Sequence, residues 1–421
     1  MDRTLRLKPG SLVRTRELRR PNAPSSAGPG RGSGVDGSTR SSPNHAAVTV
    51  AMVGTYPPTT CGVATFTSNV ATAIAAPGSG WSVRIIRVLD RPEAEVSEEV
   101  AAQWIANDDE SLRRSLDVIN SCDVVVLQHE YGLFAGRDGD AVLELIRRVR
   151  VPLVAVLHTV MTNPSPHQRI VLDEVIASAS MTVVQSVAAR SRLVAMHDVA
   201  ADRVEVIPHG AVANVTGPVL DDIPRPAILT WGLLGPGKGI EHAIAAISLL
   251  ADRSPAPTYI VAGQTHPKVI AAEGERYRRQ LVDLCAAYEV TDMVRFDASY
   301  RDWASLRALV RSVDVVLLPY DSTEQMSSGV LVEALAAGRP VVATKFPHAE
   351  ELLAGGAGLT VPQGDFHAMA GALDRVLYEP GLASLMSRSA LREAAKLHWP
   401  VVGAAYRSLV AEVMASSGVG V

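Results

Sequence analysis

The sequence predicts an α/β protein made of two doubly wound domains, each a parallel sheet covered by helices on both faces. Three observations carry this prediction. From Val48 onward, short β-branched runs alternate with stretches of helical period. The runs are apolar throughout rather than alternating, as strands buried on both faces are. The series also occurs twice, on either side of a Pro- and Asp-rich break, VTGPVLDDIPRP, at 215–226.

In the first series, strands are expected at 48–54 (VTVAMVG), 83–89, 123–129, 152–158, 181–186 and 204–210. In the second they are expected at 226–232, 258–263, 293–298, 314–320, 339–344 and 358–362. The domains are therefore 46–215 and 227–398, joined by a linker at 216–226. Residues 1–45 differ in kind: PNAPSSAGPGRGSGVDGSTRSSPN is Gly/Ser/Pro-rich, its neighbourhood is rich in Arg, and it cannot bury a core. This segment reads as a disordered basic tail or an over-extended start. The other reading is a basic arm on anionic lipid, giving peripheral membrane association.

With 421 residues and a formal net charge of −4, the chain lacks the basic face of a general nucleic-acid binder. Cys61, Cys122 and Cys285 are widely spaced and form neither a metal-like pair nor a disulfide framework, as expected in a reducing cytosol. No apolar run reaches the roughly 18 residues of a membrane span, and no apolar region follows the N-terminal arginines as in a signal peptide. The expected location is cytoplasmic, with the inner face of the membrane as the place for a basic arm to act.

In doubly wound sheets ligands bind outside the carboxyl ends of the strands, so the residues after each strand matter most. After the first strand, GTYPPTTCGVATF makes a loop and opens a helix, and Gly62 lets backbone N–H groups approach an anion. After the third come Gln128, His129, Glu130, Tyr131 and Gly132, three polar side chains followed by a turn. After the fourth comes His158, whose strand-end position favours the cleft floor over a satisfied core histidine. In the second domain WGLLGPGKG (231–239) lies between strand and helix. Its glycines, Gly237 among them, and Lys238 make a diphosphate cradle, without the Ser/Thr of a Walker motif. In LPYDSTEQMSSGVLVEALAAGRPVVAT (318–344), Ser327, Ser328, Gly329 and Val330 would present free N–H groups at a helix start. Glu333, one turn on, could hold a vicinal diol. Asp138-Gly139-Asp140 matches a metal-binding string, but its place at a helix start favours capping. No metal is expected.

These residues resemble the retaining glycosyltransferases of family 4, with the GT-B fold of two Rossmann-like domains facing across a cleft. The resemblance covers about 48–416, and QHEYGLFAG with VLHTV looks like the branch containing bacterial mannosyltransferases. It implies that Lys238 binds the donor diphosphate, that Glu333 holds the nucleotide ribose, and that Ser328, Gly329 and Val330 touch diphosphate and sugar. His158 would contact the transferred sugar, Gly62 would close over the donor, and His129 and Glu130 would lie on the sugar or acceptor side. It also implies that the last helix, 400–416, crosses back onto the first domain. Two positions depart from the family. Its first Glu falls at Gln325, with Glu324 beside it, and its usual Arg in the Gly-rich turn falls at Leu233.

The implied function is transfer of a hexosyl group, mannosyl first, from GDP-mannose or a UDP-sugar. The acceptor would be a sugar, polysaccharide or lipid-linked saccharide, and no metal or other cofactor is needed. Gln325 and Leu233 keep a second reading open, a catalytically weak nucleotide-sugar-binding subunit of a transferase complex. The donor base, the acceptor and the oligomeric state are not legible in the sequence.

Overall fold

The computed structural model describes residues 48–93, 97–299 and 301–418. The segment read as a tail or lipid-binding arm, 1–45, lies outside them.

The first sheet has seven strands: β1 Val48–Gly54, β2 Trp81–Leu89, β3 Val100–Ile105, β4 Val124–His129, β5 Leu153–Leu157, β6 Met181–Val184 and β7 Val204–Val206, in the order β3-β2-β1-β4-β5-β6-β7. The second has six: β8 Ala227–Trp231, β9 Thr258–Ala262, β10 Val294–Asp297, β11 Val315–Leu318, β12 Val341–Thr344 and β13 Gly358–Val361, in the order β10-β9-β8-β11-β12-β13. Every pairing is parallel. The apolar runs have a direct cause. On β1, Val50 and Met52 enter one buried cluster while Ala51 and Val53 enter another. On β8, Ile228 and Leu229 divide in the same way. A strand with helices on both sides has no face left for polar residues.

Two expectations are corrected. Strand β3 (VAAQWI) is missing from the sequence reading. It is an edge strand that pairs only with β2, through a register shift at Ile85/Ile86, and it stays partly accessible, so Gln103 and the alanines are tolerated. Strand β7 is three residues long, not the seven of 204–210. Pro208 has no N–H to continue the ladder.

Each sheet reverses its strand order once, between β1 and β4 and between β8 and β11. Such switch points open a crevice at the carboxyl ends of the strands. They place the loops after β1, β4, β8 and β11 where a ligand can lie.

The helix Trp399–Ser416 returns to the first sheet and packs on the helix Gly62–Ile74. Trp399, Val402, Tyr406 and Val410 are buried with Val50, Met52, Phe66 and Val70. Its approach is close: a Cβ at Gly403 would lie 2.6 Å from the Ala73 carbonyl oxygen. Arg407 Nη1 donates to that same oxygen at 2.7 Å. The return segment runs beside the outgoing one, Ala211 N donating to Leu397 O at 2.8 Å and Trp399 N to Ala211 O at 3.2 Å. Among the described residues no helix is long and apolar enough to cross a membrane.

Candidate functional site

The loop after β1 is held from below. Arg87, fully buried on β2, donates to Tyr56 O at 3.1 Å and to Thr59 Oγ1 at 2.8 Å, and pairs with Glu93 at 2.5 Å. Cys61 caps the helix Gly62–Ile74, its sulfur accepting from Ala64 N at 3.2 Å. A Cβ at Gly62 would meet no atom within 4 Å, so open space lies before this helix start.

The strand ends β4, β5 and β6 meet at His158. Its Nδ1 accepts from Gln185 Nε2 at 3.1 Å, which leaves Nε2–H to donate to Gln128 Oε1 at 2.8 Å. Burial lowers its pKa to about 3, with His209 and His129 adding to the effect, so the ring is neutral. Phe66 packs against it edge-on, centroids 4.9 Å apart. His158 is largely buried at the end of β5, with both ring nitrogens already engaged.

His129 corrects an expectation. It is 1 % exposed, lies edge-on to Tyr131, and burial lowers its pKa to about 4. It sits in the interior rather than on the acceptor wall, because strand alternation turns it away from the crevice. Glu130 is half-buried. Its carboxylate accepts from Thr159 Oγ1 and from Tyr131 N at 3.0 Å, and burial raises its pKa.

In the second domain the Gly-rich turn is fixed by backbone contact. Gly239 is left-handed (φ 64°), and a Cβ there would lie 1.9 Å from Pro319 O. Only glycine permits this approach, and the approach lays the turn after β8 against the loop after β11. Gly237 (φ 89°) accepts from Asp321 N at 3.3 Å. Lys238 Nζ lies 4.6 Å from the centre of the Tyr320 ring.

The helix Gly329–Ala336 starts beside this turn. Ser328 caps it, Oγ accepting from Leu331 N at 3.2 Å. The expectation of a free Ser328 N–H is corrected: it donates to His348 Nδ1 at 3.1 Å. The first-turn N–H groups of Gly329 and Val330 have no acceptor among the described residues. A Cβ at Gly329 would lie 2.9 Å from His209 Nε2, so the first domain meets this helix start directly. Glu333 is half-buried and burial raises its pKa to about 7, with Arg307 opposing.

Glu324 and Gln325 have separate partners. Glu324 Oε2 accepts from Thr162 N of the first domain at 2.7 Å, while Gln325 donates its amide to Ser327 O. Asp138 caps no helix. It sits at φ 51° and holds His167 at 2.9 Å, with Asp140 3.4 Å from the same ring, while the next helix, Val142–Arg148, has no side-chain cap at Ala141. Among the described residues no group of three or more His, Cys, Asp or Glu is placed to hold a metal.

Sequence reasoning missed Gln185, His209, His348 and Lys268. Gln185 and His209 follow β6 and β7 as His158 follows β5, so the strand-end rule applied evenly would have found them. His348 and Lys268 belong to helices and carry no such signal.

Residues 225–379 match the model of the family described as group 1 glycosyl transferases. The chain is 28 % identical over 295 residues to a D-inositol 3-phosphate glycosyltransferase of Saccharomonospora viridis, a stretch covering 63 % of this chain and 66 % of that protein, just under two thirds. It is 32 % identical over 215 residues to a phosphatidyl-myo-inositol mannosyltransferase of Mycolicibacterium smegmatis, covering 50 % and 52 %. Among solved structures, Anabaena HepE in complex with UDP and glucose superposes with a TM-score of 0.72 at 17 % identity, over 87 % of this chain and 100 % of that one. The family model falls on the Lys238 turn and the Glu333 helix, so residues 225–379 are similar to group 1 glycosyl transferases, and the two doubly wound domains around them have the GT-B fold of the solved glycosyltransferases.

Proposed function

We propose that this chain is a retaining glycosyltransferase that moves a hexosyl group, mannosyl as first candidate, from a nucleotide diphosphate sugar to a sugar, polysaccharide or lipid-linked acceptor. One observation carries the reading: at the switch point of the second sheet, Tyr320 joins the Lys238 turn to the helix start where the Gly329 and Val330 N–H groups are unsatisfied, its ring centre 4.6 Å from Lys238 Nζ and its hydroxyl 3.3 Å from Ser328 Oγ. A cation and a helix N-terminus together favour an anion there. The mannosyl preference rests on the Mycolicibacterium smegmatis relative.

In this reading the leaving diphosphate gains charge as its bond to the sugar breaks. Lys238 and the helix dipole stabilise that charge without a metal. Glu333 holds the ribose hydroxyls. Neutral His158, locked by Gln128 and Gln185, shapes the sugar pocket, and the departing phosphate takes the acceptor proton on the same face. The work is placed in the cytoplasm, where nucleotide sugars are made, at the inner face of the membrane if the acceptor is a lipid.

A thermal-shift panel of nucleotide sugars tests the donor. A ligand at 100 times its dissociation constant adds roughly 2.7 kcal/mol. GDP-mannose is expected to shift the melt, and Lys238→Ala to abolish transfer without unfolding the chain. A Lys238→Ala protein of normal activity would sink the role of Lys238. The second reading, a weak nucleotide-sugar-binding subunit, is favoured by Gln325 having an amide where the family has a carboxylate. Release of nucleoside diphosphate by the purified single chain would exclude it.

A further inference from the structure

The Gly-rich turn at 231–239 carries one charged side chain, Lys238, and Leu233 offers none. We infer that Lys268, on the helix Pro267–Glu273, is the second cation of the donor site and binds the diphosphate together with Lys238. This rests on the donor-site reading above and adds to it a residue from a different turn.

The turns after β8 and β9 form one platform. Leu234 N donates to Gln264 O at 2.8 Å, and His266 N donates back to Leu234 O at 2.8 Å. Gly235 packs on Val269, where a Cβ would lie 3.1 Å from Cγ2. The turns that carry Lys238 and Lys268 are thus fixed relative to each other. Burial lowers the pKa of His266, and Lys268 and Lys238 lower it further, so both charges reach one ring.

Neither lysine has an ion-pair partner within 4 Å among the described residues. Lys268 Nζ extends toward the first domain and lies 2.9 Å from where a Cβ at Gly132 would stand. It also acts on the half-buried Glu130 across the cleft. Two unpaired ammonium groups on adjacent turns, both acting on the His266 ring, repel each other, and an anion lying between them relieves that repulsion. A diphosphate spans two such point charges, whereas a single phosphate engages only one fully.

Binding of GDP, UDP, GMP and UMP to the full chain, by titration calorimetry, tests this. Lys268 is exposed, so its removal leaves the core intact. Lys268→Ala is expected to weaken the preferred diphosphate about tenfold or more, with a much smaller loss for the monophosphate. Lys268→Arg should keep most of the affinity. Leu233→Arg added to Lys268→Ala should restore it, because it returns a cation to the same platform. If Lys268→Ala binds diphosphates as the unaltered chain does while Lys238→Ala does not, the inference falls and the donor site stands. Equal losses for mono- and diphosphate would also overturn it. If the unaltered chain binds neither GDP nor UDP, the donor-site reading itself falls.

Discussion

Glu333 shows what a single half-buried carboxyl among apolar neighbours costs. Leu331, Val332, Ala334 and Leu335 around it are fully buried, and it has no hydrogen-bond or ion-pair partner among the described residues. Burial lifts its pKa from 4.5 to about 7. The folded-state value lies above the unfolded one, so this group favours folding below pH 4.5 and loses that contribution as pH rises through 7. Glu333→Gln removes the titration. Denaturant melts should find the variant more stable than the parent by on the order of 2 kcal/mol at pH 8, and equal near pH 4. A difference independent of pH would rule out the buried carboxyl as its source. The same variant should bind nucleoside diphosphate more weakly, since a carboxylate accepts from both ribose hydroxyls and an amide does not. Glu333 was legible from its apolar neighbours. For His158 only the position was legible: that both ring nitrogens are taken depends on Gln128 and Gln185, which arrive from strands 30 and 27 residues away in sequence.

Among the elements, the last helix ties the ends of the molecule together. Gly403 sits where Trp399–Ser416 crosses Gly62–Ile74, and a Cβ there would lie 2.6 Å from Ala73 O and 2.7 Å from Ala73 Cβ. Gly403→Val must push the two helices apart, costing about 1–3 kcal/mol by overpacking. Gly371, inside the helix Phe366–Tyr378, faces no atom within 4 Å, so Gly371→Ala should be neutral or stabilising by up to about 1 kcal/mol. Thermal melts of the two variants should therefore move in opposite directions. A Gly403→Val protein melting with its parent would show that this crossing is not tight. The helix Gly62–Ile74 opens from the loop after β1, so in the proposed function displacing it should also lower transfer. Elements buried on both faces were legible because their apolar runs have no alternative use, as on β1, β4 and β11. Strand β3 was not, because its edge position lets it carry polar and small residues. The end of β7 was missed because Pro208 was read as part of the apolar run.

At the scale of the whole molecule, the two domains hold each other by contacts that no local pattern announces. Glu324 accepts from Thr162 N at 2.7 Å. Glu351 accepts from Val187 N at 3.1 Å and Ala188 N at 2.6 Å, completing the first turn of the helix Val187–Met196, whose own cap, Ser186, accepts only from Ala189 N. A carboxylate at a helix N-terminus is favoured both by the donors it satisfies and by the helix dipole. Here it belongs to the opposite domain, so the same interaction caps a helix and latches the cleft. In sequence Glu351 is the second of two adjacent acidic residues on a half-buried helix, and only the fold shows that it faces Val187. Removing it should leave each core intact while freeing the domains. Glu351→Ala is expected to raise amide exchange at Val187 and Ala188 by about fivefold, corresponding to a cap of about 1 kcal/mol, with exchange on β4 and β11 unchanged. Solution scattering of the free chain should give a larger radius of gyration than for the parent. Saturating nucleoside diphosphate should leave the amide difference in place, because a ligand bound at the proposed site of the second domain does not supply the missing acceptor. Exchange at Val187 and Ala188 matching the parent would mean that water already serves these donors and that Glu351 is no latch.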